Sequence, residues 1–189
     1  MNSTLALTSS DKNKVSVTRR FLAILSLAGL ATSMVVYVGR FKGLTLDRMG
    51  VWMFVLHVGI FVLLIPMYAI EYPGIRNRTF FRDGFRRGKP VWAYYMVQLF
   101  GAFFIIHFIL FLLVSHGAAP KFVDGKFALD NHGQITKWLT EPEFLSLKGY
   151  ELRIFATGWM FFYSFATAYW WFSRRKGAAS QGMAEEKSK

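Results

Sequence analysis

Two histidines have the clearest potential for chemistry, because His57 and His107 each lie inside a long apolar stretch. An ionisable side chain is costly in hydrocarbon, so each one needs a structural or chemical reason. His57 follows the start of its stretch by seven residues, and His107 precedes the end of its own by eight. At about 1.5 Å per helical residue, both imidazoles are expected on the order of 10–12 Å below one membrane surface.

Matched depth on two facing helices is what a bis-imidazole b-type haem requires, since packed helices lie about 8–10 Å apart. Gly59 and Gly101 are placed to make room for the macrocycle. Cations that could meet its propionates lie nearer the same surface: Arg40, Lys42 and Arg153. The competing interpretation is structural, with each ring hydrogen-bonded to a neighbouring helix. We therefore expect no cofactor, and keep one haem b held by His57 and His107 as the alternative.

Four stretches are apolar and long enough to carry such residues through a bilayer, since a hydrocarbon core of about 30 Å needs about 20 helical residues. They comprise residues 21–39, 50–70, 91–115 and 152–172. Hydrophobic residues make up 53% of the chain, which fits lipid-facing helices. The sequence therefore predicts an all-α membrane protein, a four-transmembrane-helix antiparallel bundle within residues 19–176. Short connections predict that the first three spans pack beside their neighbours in sequence.

Lysines and arginines divide unevenly between the two sides of the predicted spans. Fifteen lie before the first span, between the second and third, or after the fourth, whereas seven lie in the other two loops. Positive residues are retained on the cytoplasmic face of a membrane. We therefore expect a multi-pass protein of the cell inner (cytoplasmic) membrane with both termini cytoplasmic. Residues 1–18 and 177–189 are expected to be mobile tails.

The loop over residues 75–89 mixes six cations with three phenylalanines. Such a segment suits the head-group layer, where rings enter the acyl chains and guanidinium groups meet anionic phosphates. Lipid head-group contacts are therefore predicted for Arg76, Arg78, Arg82, Arg86, Arg87 and Lys89. Charges at helix ends account for the net charge of +12, so nucleic acid is not expected as a partner.

The outer loop, residues 117–149, is expected to form a small extracytoplasmic β-hairpin and helix cap. Asp124-Gly125 separates two β-prone runs, which is a strong hairpin signal, and Asn131-His132-Gly133 predicts a second turn. Thr140 and Glu143 are spaced as a capping box, opening a helix that continues into the fourth span. Large apolar residues of this cap need the bundle rim, lipid or a partner to cover them: Phe122, Phe127, Ile135 and Trp138.

Small residues in the first predicted span indicate where it packs. Ser26, Gly29 and Ser33 recur at spacings of three and four, so they share one side of a helix. Small residues let two membrane helices approach closely. The stripe therefore predicts a close contact with a neighbouring helix.

Three functions are compatible with these patterns. The favoured one is a non-catalytic accessory, anchoring or partner-binding membrane subunit, acting with other membrane subunits or as a homo-oligomer. The alternatives are a one-haem electron-transfer subunit linked to quinone, and a small channel or transporter with a water-wide path lined by Gln98, Thr157 and Ser164. Catalysis is disfavoured because the sequence has no nucleophile elbow, phosphate-binding glycine loop, HExxH motif or cysteine. No metal-ligand spacing is present either.

Overall fold

The structure, a computed structural model, describes residues 9–76 and 90–172 and is mostly helical. The helices are α1 (Ser9–Gly39), α2 (Leu46–Met49), α3 (Val51–Arg76), α4 (Val91–Ser115) and α5 (Glu141–Phe172), with a 3₁₀ turn at Arg40–Lys42. The strands are β1 (Ala119–Val123), β2 (Lys126–Asn131) and β3 (Gln134–Trp138). Among the described residues, three segments are long and apolar enough to cross a membrane: Val17–Lys42, Val51–Ile70 and Val91–Ser115.

Helix α5, which contains the fourth predicted span, is not among these three segments, and other helices cover much of its surface. It packs against α1, α3 and α4. Leu152, Ala156 and Thr157 have no exposed surface at all. A helix enclosed by other helices can carry hydroxyls, tyrosines and tryptophans that a lipid-facing surface would penalise. The hydropathy of α5 alone therefore underestimates how extensively this helix packs against the others.

Contacts along α5 fix the relative directions of the helices. The ring of Trp92 in α4 lies 5.4 Å from that of Phe172, whereas Phe104 lies against Gly158, so α4 runs antiparallel to α5. The opposite order holds for α3. Its Leu56 carbonyl meets Tyr163 and its Leu63 carbonyl meets Trp170, so α3 and α5 run in the same direction.

The neighbours of α3 and α4 differ from the sequence prediction in one respect. Helices α3 and α4 were expected side by side, but the main contacts of α3 are with α5 and α1, and those of α4 are with α5. The physical reason is that α5 offers the small and aromatic residues that both helices can pack against closely. The short connection predicted that α3 and α4 are adjacent, whereas side-chain packing places each of them against α5.

Tyr163 holds α5 to two helices at once. Its Oη donates a hydrogen bond of 2.8 Å to the Leu56 carbonyl. Its ring lies on Gly29 of α1, where a Cβ would come within 2.6 Å of Cζ, and its hydroxyl would overlap a Cβ at Gly59 of α3. Ser26 and Ser33 are fully buried on either side of Gly29, which confirms the predicted small-residue stripe.

The predicted cap is confirmed as a three-stranded antiparallel sheet of order β1-β2-β3. Asp124 and Gly125 both have positive φ, as do His132 and Gly133, which are the conformations that two-residue hairpin turns need. The Thr140 amide and hydroxyl both donate to Oε2 of Glu143, so the capping box also forms. The helix that it opens continues without a break to Phe172.

Two helix boundaries extend beyond the sequence prediction. Helix α1 begins at Ser9, inside the predicted tail of residues 1–18, because its polar first turns remain compatible with helix. Helix α3 continues six residues past position 70 and ends at Arg76. The tail predicted over residues 177–189 lies outside the residues that the structure describes.

The glycines beside Tyr163 yield a test of this packing. Gly29→Ala is expected to lower the free energy of unfolding in detergent by about 1–3 kcal/mol, because the added methyl overlaps a rigid ring. Ala31→Val, an exposed position on the same helix, is expected to change it by less than about 0.5 kcal/mol.

A double-mutant cycle separates the two contacts. Tyr163→Phe removes only the hydroxyl, so it should relieve the cost of Gly59→Ala and leave the cost of Gly29→Ala unchanged. Equal relief at both glycines, or none at either, would show that Tyr163 does not occupy this position.

Candidate functional site

His107 is enclosed between α4 and α1 and is 8% exposed. Its Nδ1 donates a hydrogen bond of 2.9 Å to the Phe103 carbonyl, one helical turn earlier, because a carbonyl can only accept. In the neutral ring Nε2 is therefore the acceptor, and it lies 3.2 Å from the Tyr37 hydroxyl. The His107 ring also meets the Phe103 ring edge-on at 4.4 Å.

His57 has a different environment and remains exposed on α3. The indole Nε1 of Trp159 donates to its Nδ1 at 3.3 Å, so the neutral ring carries its proton on Nε2. Phe61 and Phe155 flank the imidazole with ring centroids 6.2 and 6.1 Å away. This histidine therefore joins α3 to α5.

As placed, each of the two rings is hydrogen-bonded to a side chain of another helix. The unprotonated nitrogen of each ring already accepts a hydrogen bond, from Trp159 and from Tyr37. The room predicted beside Gly101 is occupied by the Phe161 ring, as the room beside Gly59 is by Tyr163. Haem b at these histidines stays a prediction, and it requires both rings to leave their partners.

The two hydroxyls predicted to line a channel are bonded within their own helix. Thr157 donates to the Arg153 carbonyl at 2.7 Å, and Ser164 donates to the Phe161 carbonyl at 2.7 Å, both within α5. Gln98 is exposed on α4. Hydroxyls that return to their own helix satisfy themselves and leave little to attract water.

The predicted lipid head-group residues cannot be placed by the structure. Arg76 is the last residue of α3, and its side chain lies outside the described part. The others fall wholly outside the described residues: Arg78, Arg82, Arg86, Arg87 and Lys89. Their contact with lipid stays a prediction.

The cap presents an apolar surface that the bundle does not cover. Phe122 is 63% exposed, Trp138 51% and Ile135 41%. The strand register places Phe122 on the same face of the sheet as Phe127 and Trp138 on the opposite face. We call these three exposed residues the cap surface. Phe127 behaves differently, because its ring stacks on Phe144 of α5 with centroids 4.6 Å apart. Of the four large apolar cap residues, the bundle rim therefore covers Phe127 alone, and only in part.

Ion pairs hold the cap together and to α5. Lys121 pairs with the buried carboxylate of Asp130 across β1 and β2. Lys137 of β3 pairs with Glu143 of α5 at 2.7 Å. The hydrogen bond from Lys137, followed by those from Thr140, lowers the pKa of Glu143 from 4.5 to about 2. This carboxylate therefore links the last strand, the capping box and the helix.

The partners of both histidines could not be found from the sequence. Tyr37 lies 70 residues from His107, and Trp159 lies 102 residues from His57. No periodicity or spacing within one chain connects residues so far apart. Among the described residues, no group of three metal-ligating side chains is assembled.

Comparison with known proteins leaves the geometry as the basis for function. No family model matches the chain, and neither a curated protein nor a solved structure shows significant similarity to it.

The pKa of Glu143 generates a pH prediction. Because the carboxylate is stabilised in the folded cap, the stability that it contributes is present above about pH 4.5 and lost as the pH falls through about 2. The Thr140 amide resonance, which reports the hydrogen bond to Glu143, is expected to titrate with a midpoint near 2. The uncharged Glu143→Gln variant should show no such step, and a wild-type midpoint near 4.5 would contradict the cap geometry.

Proposed function

We propose that this chain is a four-span integral membrane protein of the cytoplasmic membrane that acts as a non-catalytic accessory, anchoring or partner-binding subunit. In this proposal α5 is the fourth span, both termini are cytoplasmic, and the cap of residues 117–149 lies on the opposite side. The observation that carries the proposal is the exposed cap surface at the end of a helix that three apolar helices enclose.

The register of α5 supports its role as a span. Trp92 and Phe172 meet at one end of the bundle, and the 3₁₀ turn at Arg40–Lys42 meets α5 near Gly149 at the other. Contact with the three candidate spans along this length supports a place for α5 in the same layer. At about 1.5 Å per residue its 32 residues extend about 48 Å, which leaves several turns outside a core of about 30 Å for the cap.

The charge distribution supports the orientation. In a four-span arrangement the fifteen cations of the tails and the 75–89 loop fall on one side, and the positive-inside rule assigns that side to the cytoplasm. The cap then faces away from the cytoplasm. Anionic lipid head groups are the expected partners of the basic side.

The cap surface supports a protein partner. Phe122 and Trp138 are large aromatic residues, the types that anchor protein interfaces. Two tight turns and the Lys121–Asp130 pair hold the sheet in shape, so little ordering is required on binding. Exposed aromatic residues on a rigid sheet outside the spans fit protein docking better than a reaction centre.

The cap surface can be tested by substitution. In mild-detergent extracts of native membranes, wild-type protein is expected to migrate in an assembly larger than one chain. The double variant Phe122→Ser/Trp138→Ser should migrate in a smaller one with an unchanged melting temperature, because both side chains are already exposed. Asn131→Ser, an exposed cap position outside this surface, is the matched control and should migrate as wild type.

Two results would contradict the proposal. One is turnover of a substrate by the purified protein alone. The other is a stoichiometric redox group: a reduced-minus-oxidised α-band that disappears in His57→Ala or His107→Ala would establish the haem alternative. A colourless preparation, made with haem in adequate supply, is the expected result.

A further inference from the structure

Two arginines lie together at the cap end of the bundle, where the 3₁₀ turn passes α5. The guanidinium of Arg40 rests on the backbone of Gly149, where a Cβ would overlap its Nε and Cζ atoms. Arg153 follows Gly149 by one helical turn, so both side chains occupy the same face of α5. We call Arg40 and Arg153 the arginine pair.

Aromatic rings position the second of these cations. The Cζ atom of Arg153 lies 5.7 Å from the ring centroid of Phe41 and 5.2 Å from that of Tyr150. Phe41 directly follows Arg40, so Arg153 contacts a ring of the same 3₁₀ turn that carries Arg40. A cation–π contact orients a guanidinium but accepts none of its in-plane hydrogen bonds.

The arginine pair has donors without acceptors. The Nε atoms of Arg40 and Arg153 are buried and have no hydrogen-bond partner in the described chain. Among the side chains that the structure describes, the ion pairs involve lysines and neither of these arginines. An arginine keeps its charge and five N–H donors, and leaving buried donors unpaired is costly. The site is therefore complementary to an anion.

The nearby carboxylates are already committed to another cation. Lys148, only 9% exposed, pairs with Glu151 at 3.0 Å and with Asp47 at 3.2 Å. Five cations and only these two carboxylates belong to the connector of residues 40–50 and to the adjoining turns of α5, residues 148–153. The excess charge is therefore positive beside the arginine pair.

We propose that the arginine pair binds a phosphate-bearing anion, the phosphate of an anionic phospholipid head group in the membrane. This rests on the proposed membrane location, because Arg40 lies near the end of the candidate span Val17–Lys42, at the level of head groups. The planar fork of arginine matches two phosphate oxygens, and two such forks can bind one phosphate. Each guanidinium offers both Nε–H and Nη–H donors to such an anion.

Ligand-induced stabilisation tests the site. Purified protein is titrated with phosphatidylglycerol, with a galactolipid of the same acyl chains and no phosphate, or with inorganic phosphate, and the melting temperature is followed. Phosphatidylglycerol should raise it and the galactolipid should not. In Arg40→Gln and Arg153→Gln the Kd for phosphatidylglycerol should weaken by about tenfold or more, since each variant loses charge-assisted hydrogen bonds.

Arg48→Gln is the matched control. Arg48 belongs to the same connector but is exposed and donates to the Gly43 carbonyl at 3.3 Å, so its loss should leave binding within about twofold of wild type. Arg153→Lys covers the case in which a Gln variant does not fold, because it keeps the charge and the stem but not the fork. It should bind phosphatidylglycerol more weakly than wild type.

The results of these titrations test the site and identify the source of the phosphate that it binds. Stabilisation by inorganic phosphate as strong as by phosphatidylglycerol, lost in the same variants, supports the site and identifies free phosphate as its ligand. Equal effects of the galactolipid and phosphatidylglycerol, or unchanged binding in the arginine variants, overturn it. Alkaline carbonate extraction separates the proposals: a protein retained in membranes whose lipid binding ignores both arginines refutes the arginine pair alone, whereas a released protein refutes the membrane location.

Discussion

The fit of Tyr163 between two glycines is the constraint on which the arrangement of the helices depends. Gly29 and Gly59 let α1 and α3 approach one aromatic side chain from two directions. The tyrosine hydroxyl bonds the Leu56 carbonyl, a backbone group that already belongs to a helical ladder and has a second lone pair to offer. Where water is excluded, such a bond removes a polar group that would otherwise be unsatisfied. Tyr163 therefore fills the space between the helices and satisfies its buried hydroxyl at the same position.

Other polar side chains of α5 also bond to acceptors in neighbouring helices or in α5 itself. Trp159 and Trp170 each direct an indole N–H to α3, one to His57 and the other to the Leu63 carbonyl. Thr157 and Ser164 return their hydroxyls to their own helix. These four polar groups of the central helix therefore meet acceptors without water. In this account His57 and His107 are partners in helix packing, which is sufficient reason for their presence in apolar segments.

Local signals predicted the cap, because its structure depends on residues close in sequence. The turns at Asp124-Gly125 and His132-Gly133 need positive φ, and Thr140 lies three residues before Glu143. Three membrane-length helices were equally readable from their apolar length, whereas the fourth predicted stretch lies in α5, which is not among the candidate spans. The partners of His57 and His107 were not, because they depend on how distant helices rotate. The arginine pair illustrates the same limit, since only folding places Arg40 on Gly149.

The central claim is that α5 crosses the bilayer, so that the cap and the two termini lie on opposite sides. The chain has no cysteine, so a single introduced cysteine can be labelled without background. Asn131→Cys in the cap and Ser180→Cys near the C-terminus are compared with a membrane-impermeant maleimide on intact cells. The account predicts labelling of the cap cysteine in intact cells, and of the terminal cysteine only after permeabilisation. Labelling of both from the same side would contradict it, because α5 could not then cross the membrane.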